Sequence, residues 1–173
     1  VHRIGGGAFG EVHAGCHLPT GAAVALKRVV VHGGVVCRTG GGLSDDDFAG
    51  SKDAAATRKG GLRLLPDNVL RELKTMQILS AGGASKTKRA HVVELLDFYP
   101  KGNALVLVLE LCSLGDLSAL LGVEPREAML SAACAKSVAA QILSGVAACH
   151  ALGVAHRDVK PGNVLVAEDG TLK

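Results

Sequence analysis

With 173 residues, 48% of them hydrophobic and 20% charged, the chain can bury one sizeable core and is too apolar to be intrinsically disordered. A formal net charge of +3 without any long block of one sign favours phosphate-bearing ligands only weakly and says little about nucleic acid, which is not expected as a partner. Five cysteines at positions 16, 37, 112, 134 and 149 form no C-x-x-C pair, which argues against a zinc site or disulfide framework and for reduced thiols in an intracellular protein, in the cytoplasm or nucleus.

Residues 1–31 alternate short apolar runs with glycine turns and predict a β-meander, its clearest strand running from Val24 to Val31. Residues 32–63 are rich in Gly, Ala, Ser and Asp without periodicity and predict a flexible insertion. Order resumes at Leu65-Pro66-Asp67-Asn68, where a proline and capping side chains introduce a helix over Val69 to Leu79. The basic run K-T-K-R-A-H at 86–91 predicts a solvated loop with no ligand. Two strands, His91 to Phe98 and Ala104 to Leu111, joined by Pro100-Lys101-Gly102-Asn103, predict a hairpin.

From Ala135 the apolar positions 135, 138, 139, 142, 143, 146 and 147 fall on one helical stripe that ends near Gly153. The apolar stretch Ala132 to Ala155 is broken by Lys136, Gln141 and His150, which a bilayer tolerates poorly, and no charged leader opens the chain; no membrane is expected. Composition turns from strand-rich to helix-rich at Ser113, predicting two lobes joined near 111–116. The first residue is Val1 and the last, Lys173, falls within a strand-like pattern, so the sequence reads as a fragment.

Four segments carry chemistry. I-G-G-G-A-F-G-E-V at 4–12 spaces Gly5, Gly7 and Gly10 as G-x-G-x-x-G; a glycine there lets backbone N–H groups approach phosphate oxygens that a Cβ would obstruct. Taken alone it is a weak signal, equally suited to a hairpin turn. V-A-L-K at 24–27 puts Ala25 and Lys27 on one strand face. On the next helix Glu72 shares the apolar stripe with Val69, Met76 and Leu79, and a carboxylate turned toward a core needs a cationic partner, for which Lys27 is the candidate. The decisive segment is H-R-D-V-K-P-G-N at 156–163, between the long helix and the strand-like V-L-V at 164–166. An aspartate, a lysine and an asparagine at fixed offsets suit phosphoryl transfer, which is mostly positioning and charge neutralisation.

Together these motifs resemble the protein kinase family over essentially the whole chain apart from 32–63. The resemblance implies an α+β bilobal fold, with an antiparallel N-lobe sheet and one helix over residues 1–112 and a partial helical C-lobe over 113–173. It implies ATP and Mg2+ as cofactors. Ile4, Gly5, Gly6, Gly7, Ala8, Phe9, Gly10 and Val12 would cover the nucleotide, Lys27 would hold its phosphates and Glu72 would hold Lys27. Ala25, Leu109 at the gatekeeper position, Glu110, Cys112 and Leu165 would surround the adenine, and Asp116 would lie near the ribose. Asp158 is implied as catalytic base, Lys160 as the lysine typical of serine/threonine kinases and Asn163 as a magnesium ligand; Arg157 would contact the activation segment.

L-R-E-L-K at 70–74, L-V-L-V-L-E-L at 105–111, G-D-L-S-A-L-L at 115–121 and C-H before the R-D motif's own histidine segment are similar to the cyclin-dependent kinase branch. L-P-D-N-V-L-R-E-L-K-T-M-Q is most similar to the cell-cycle-related kinases. The implied partners are protein substrates bearing Ser or Thr and a cyclin or cyclin-like activator. Two departures bear on the latter: Ala8 and Phe9 stand where many of these enzymes carry inhibitory Thr and Tyr sites, and the insertion lengthens the path into the helix that cyclins touch. The Asp-Phe-Gly motif would follow Thr171-Leu172-Lys173, so these residues alone are expected to be inactive. An ATP-binding pseudokinase or scaffold without turnover stays open as the rival reading.

Overall fold

A computed structural model describes residues 2–7, 10–18, 20–31, 65–81, 90–122 and 131–173. The insertion expected over 32–63 and most of the basic run at 86–91 lie outside the described residues. Five antiparallel strands, β1 (His2–Gly7), β2 (Gly10–His17), β3 (Ala22–Val30), β4 (Leu95–Lys101) and β5 (Ala104–Glu110), form one sheet in the order β1-β2-β3-β5-β4. Helix α1 (Asp67–Ala81) enters between β3 and β4 in sequence, so β5 is inserted beside β3 and the meander predicted for the first strands becomes part of a larger sheet.

The sheet forms because β3 and β5 are near-continuous runs of β-branched and aliphatic residues. Ala25, Val29, Leu105, Leu107 and Leu109 line the face that meets Val69 and Leu73 of α1. Leu73 is fully buried, a burial that contributes about 2 kcal/mol. Residues 104–109 of β5 are buried on both faces, as befits a central strand.

The second hairpin is shorter than predicted. Residues 91–94 are not strand; β4 starts at Leu95, and the loop is Gly102-Asn103 alone, with Lys101 paired to Ala104. Gly102 has φ 62, the positive φ that a two-residue hairpin loop demands and that glycine adopts without strain.

Below the sheet lie α2 (Leu117–Leu121), α3 (Ala132–Ala151) and a 3-10 turn at Pro161–Asn163. Asp116 caps α2 by accepting from the Ala119 N–H, and Ser131 caps α3 by accepting from Cys134 N–H. Leu117, Val164, Val166 and Leu172 form a second core, with Val138 and Ile142 of α3 packed on it.

The predicted stripe on α3 is only half right. Val138, Ile142 and Val146 face inward, but Ala139 and Ala147 are exposed and Leu143 is 66% exposed. The docked face is centred on Gly145 and Cys149 instead. A Cβ at Gly145 would lie 2.4 Å from the His91 carbonyl oxygen, so the helix approaches the loop before β4 through its glycine, and that contact rotates the buried face away from the purely apolar stripe.

Candidate active site

The sheet supplies the first half of the site. Lys27 lies on β3 between Val12 of β2 and Leu107 of β5, its two cross-strand neighbours. Its Nζ is 2.5 Å from Glu72 Oε1, with the two side chains 21% and 30% exposed. α1 presents Glu72 there because the helix starts at Asp67, just after Pro66, so Val69, Glu72 and Leu73 share the side that faces the sheet. A half-dry ion pair bridging strand and helix is oriented by both elements at once and is screened less than a surface pair. Ala25 is buried in the core beside its cross-strand partner Leu109, itself 8% exposed.

The glycine segment divides. β1 ends at Gly7 and β2 begins at Gly10, while Ala8 and Phe9 lie outside the described residues. Gly10 has φ 124, and a Cβ there would come within 2.0 Å of the Arg28 carbonyl oxygen on β3. At Gly5 a Cβ would meet Val12 at an ordinary 3.9 Å. Gly10 is therefore demanded by the fold itself, whereas packing alone does not require glycine at position 5. Gly6 is intermediate, its Cβ meeting only the movable end of Arg3, and Ile4 is exposed.

Residues 111–116 connect the two halves. Glu110 turns its carboxylate away along the strand edge, accepting from the Glu94 N–H at 2.8 Å and pairing with Lys173 Nζ at 2.8 Å. Cys112 is buried, and burial first and the Glu110 charge second push its thiol up to about 11. Asp116 accepts from the Ser118 hydroxyl and from the Ala119 N–H, bonds that hold its carboxyl below the usual range. Its backbone bridges Leu165.

The H-R-D segment follows α3. Asn163 donates from Nδ2 to the Asp158 carbonyl oxygen and to Asp158 Oδ2, both at 2.8 Å, and Lys160 Nζ lies 2.9 Å from the same Oδ2. The Lys160 contact first, then the Asn163 bond, holds the Asp158 carboxyl below its ordinary range. His156 Nδ1 accepts from the Asp158 N–H at 3.3 Å. Arg157 has φ 66, the sole non-glycine described residue in the left-handed region; such a conformation costs about 1–2 kcal/mol and persists where surroundings over-determine it. Met76, one turn after Glu72, lines a cavity of about 240 Å³ together with Gln141 and Gly145 of α3, His156, Asn163 and Leu165, a space that Lys27, Glu72, Asp158 and Lys160 do not line.

With both N–H donors of Asn163 directed to Asp158, its Oδ1 is left as a hard oxygen of the kind magnesium takes. Among the described residues no three His, Cys, Asp or Glu side chains cluster as a metal site.

A family profile described as "Protein kinase domain" matches residues 45–173. The chain belongs to the protein kinase family. Curated relatives extend the likeness to the kinase's first strands: cyclin-dependent kinase F-1 of Oryza sativa subsp. japonica is 37% identical over 175 residues, 99% of this chain and 28% of the relative. Cyclin-dependent kinase 20 of Danio rerio is 34% identical over 171 residues, and that of Homo sapiens 33%, each alignment covering 99% of this chain and 39% of the relative. The kinase chain thus spans between about a quarter and just over half of the length of the curated relatives it matches. The expected α+β kinase fold holds, and the relatives named here are cyclin-dependent kinases, the branch the motifs resemble.

Three residues of the kinase's interior escaped sequence reasoning. His91, assigned to a solvated loop, is half-buried, with Nδ1 donating to the Leu172 carbonyl oxygen at 2.8 Å. Gln141, read only as an interruption of an apolar stretch, accepts from the Leu172 N–H at 2.9 Å. Lys173, read only as falling within a strand-like pattern, pairs with Glu110. Their signal is tertiary: each partner is at least 31 residues away in sequence.

Proposed function

We propose that this kinase chain binds Mg-ATP and that the protein passes its γ-phosphoryl to Ser or Thr hydroxyls of protein substrates. The observation that carries the reading is the hydrogen-bonded group of Asp158, Lys160 and Asn163. Magnesium, when bound with the nucleotide, would neutralise charge on the phosphates, and Asn163 Oδ1 would hold it. Lys27, oriented by Glu72, would fix the phosphates. Asp158, kept ionised by Lys160 and Asn163, would orient the acceptor hydroxyl and receive its proton, while Lys160 places a positive charge beside the transferring group. Ile4 to Val12 would cover the nucleotide, with Ala25, Leu109, Glu110, Cys112, Leu165 and Asp116 around base and ribose.

In this reading residues 1–112 and 113–173 are the two lobes, and a cyclin-like protein is the candidate activator, by analogy with the relatives' names. The protein works inside the cell, in cytoplasm or nucleus; free thiols at Cys16, Cys112, Cys134 and Cys149 support this. Helix α3 is long and apolar enough to cross a membrane, but Gln141 and Gly145 engage Leu172 and His91, which supports a packing helix. The test is titration with a fluorescent ATP analogue with and without magnesium, alongside phosphorylation of Ser, Thr and Tyr peptides. Magnesium-dependent binding weakened at least tenfold by Lys27→Met, and transfer to Ser or Thr lowered about 10²–10⁴-fold by Asp158→Asn, is the expected result. Binding without any turnover in the protein would instead support a scaffold.

A further inference from the structure

The segment that joins the two lobes is tied at both ends to the same short pair of strands. At its far end Leu114 N–H donates to the Val166 carbonyl at 3.1 Å, Val166 N–H to that of Gly115 at 2.8 Å and Leu117 N–H to that of Val164 at 2.8 Å. Leu165 in turn exchanges both backbone hydrogen bonds with Lys173, at 2.8 and 2.9 Å. From there the Lys173 side chain returns to the near end of the linker, where its Nζ meets Glu110 Oε2 at 2.8 Å. The other Glu110 oxygen accepts from the Glu94 N–H, and Glu110 N–H donates back to the Glu94 carbonyl at 3.0 Å.

These contacts close a ring: Glu110, the linker 111–113, residues 114–117, residues 164–166, Lys173 and back to Glu110. Every link but one is backbone hydrogen bonding or the covalent chain. The exception is the Lys173–Glu110 ion pair, whose side chains are only 16% and 23% exposed. Lys173 is itself held in place, because Gln141 and His91 grip both backbone groups of Leu172. A charge pair so little exposed, with one partner fixed by its neighbours, has little freedom to re-form in another geometry.

We propose that Glu110 and Lys173 are positioning residues: their ion pair fixes the direction in which residues 111–113 leave β5, and thereby the affinity of the linker for the nucleotide base. The effect on nucleotide rests on the Mg-ATP reading above; the effect on the linker does not. Lys173→Met removes the closing contact, Lys173→Arg keeps the charge, and Glu110→Gln removes it from the other side.

Amide hydrogen exchange reads the linker directly, and analogue titration reads the consequence. Lys173→Met and Glu110→Gln are expected to speed exchange roughly tenfold at Leu114 and at position 110, whose N–H groups donate to the Val166 and Glu94 carbonyls at the two ends of the linker, while Leu105 and Leu107 of β5 stay protected, and to weaken analogue binding several-fold. Lys173→Arg is expected to restore both. Unchanged exchange at Leu114 and position 110 overturns the proposal, as does a rise shared equally by Leu105 and Leu107, which would mark general loss of stability. Faster linker exchange with unaltered analogue affinity overturns the link to nucleotide. If the unsubstituted chain binds no analogue, the Mg-ATP reading fails, and the exchange result still decides whether the pair positions the linker.

Discussion

At the scale of single residues, the chemistry of the site is set by what each group touches. Cys112 shows the consequence: buried and beside Glu110, its thiol is pushed up to about 11, so the reactive thiolate is scarce near neutral pH. Iodoacetamide should therefore modify Cys112 far more slowly than the exposed Cys16, with a rate that climbs as pH rises toward 11; mass spectrometry of the digested protein reads this. Because the folded state retains a proton that the unfolded state loses first, this thiol also makes the fold less stable between the ordinary thiol value of 9.0 and about 11. Gly10 is the second case. Alanine there would need a left-handed φ and would drive its Cβ into the Arg28 carbonyl oxygen. Gly10→Ala should cost about 1–3 kcal/mol of stability by urea unfolding, whereas Gly5→Ala, which meets only ordinary contact, should leave the midpoint nearly unchanged.

At the scale of elements, Gly145 tests the docking of α3. Alanine raises intrinsic helix propensity by up to about 1 kcal/mol, but its Cβ would stand 2.4 Å from the His91 carbonyl oxygen, and relieving such an overlap costs about 1–3 kcal/mol. The clash wins. Gly145→Ala should lower stability in denaturant titration, and exchange at Leu172, whose N–H and carbonyl are held by Gln141 and His91, should rise with it. Leu143→Ala, on the exposed side of the same helix, should change stability by less than about 0.5 kcal/mol.

Across the whole molecule, the Lys27–Glu72 pair couples the sheet to α1. Glu72→Gln leaves a neutral amide against a half-buried ammonium and should cost about 1–3 kcal/mol of stability, read by thermal unfolding. In the proposed reading it should also weaken Mg-ATP analogue binding, because Lys27 loses the group that orients it. Leu73→Ala, next to Glu72 on the same helix and fully buried in the core, should cost about 2–5 kcal/mol while leaving the charges of the pair intact. Comparing the two separates damage to the core from damage to the orientation of Lys27.

What the sequence determined by itself was local and chemical. The apolar runs of β3 and β5 between turn residues, the Pro66-Asp67 start of α1 and the strict offsets of 156–163 are enough to place strands, helix and the H-R-D loop. Once Glu72 is seen on an apolar stripe, its need for a cation follows from the cost of burying a carboxylate. Only the tertiary structure decided which face of α3 is buried, because a close approach through Gly145 outweighed the apolar stripe, and only it showed that Gly10 answers to the Arg28 carbonyl. Contacts such as His91 and Gln141 on Leu172, or Lys173 on Glu110, join polar groups from distant segments. Their partners are fixed by where the chain folds, and no periodicity along the sequence encodes that.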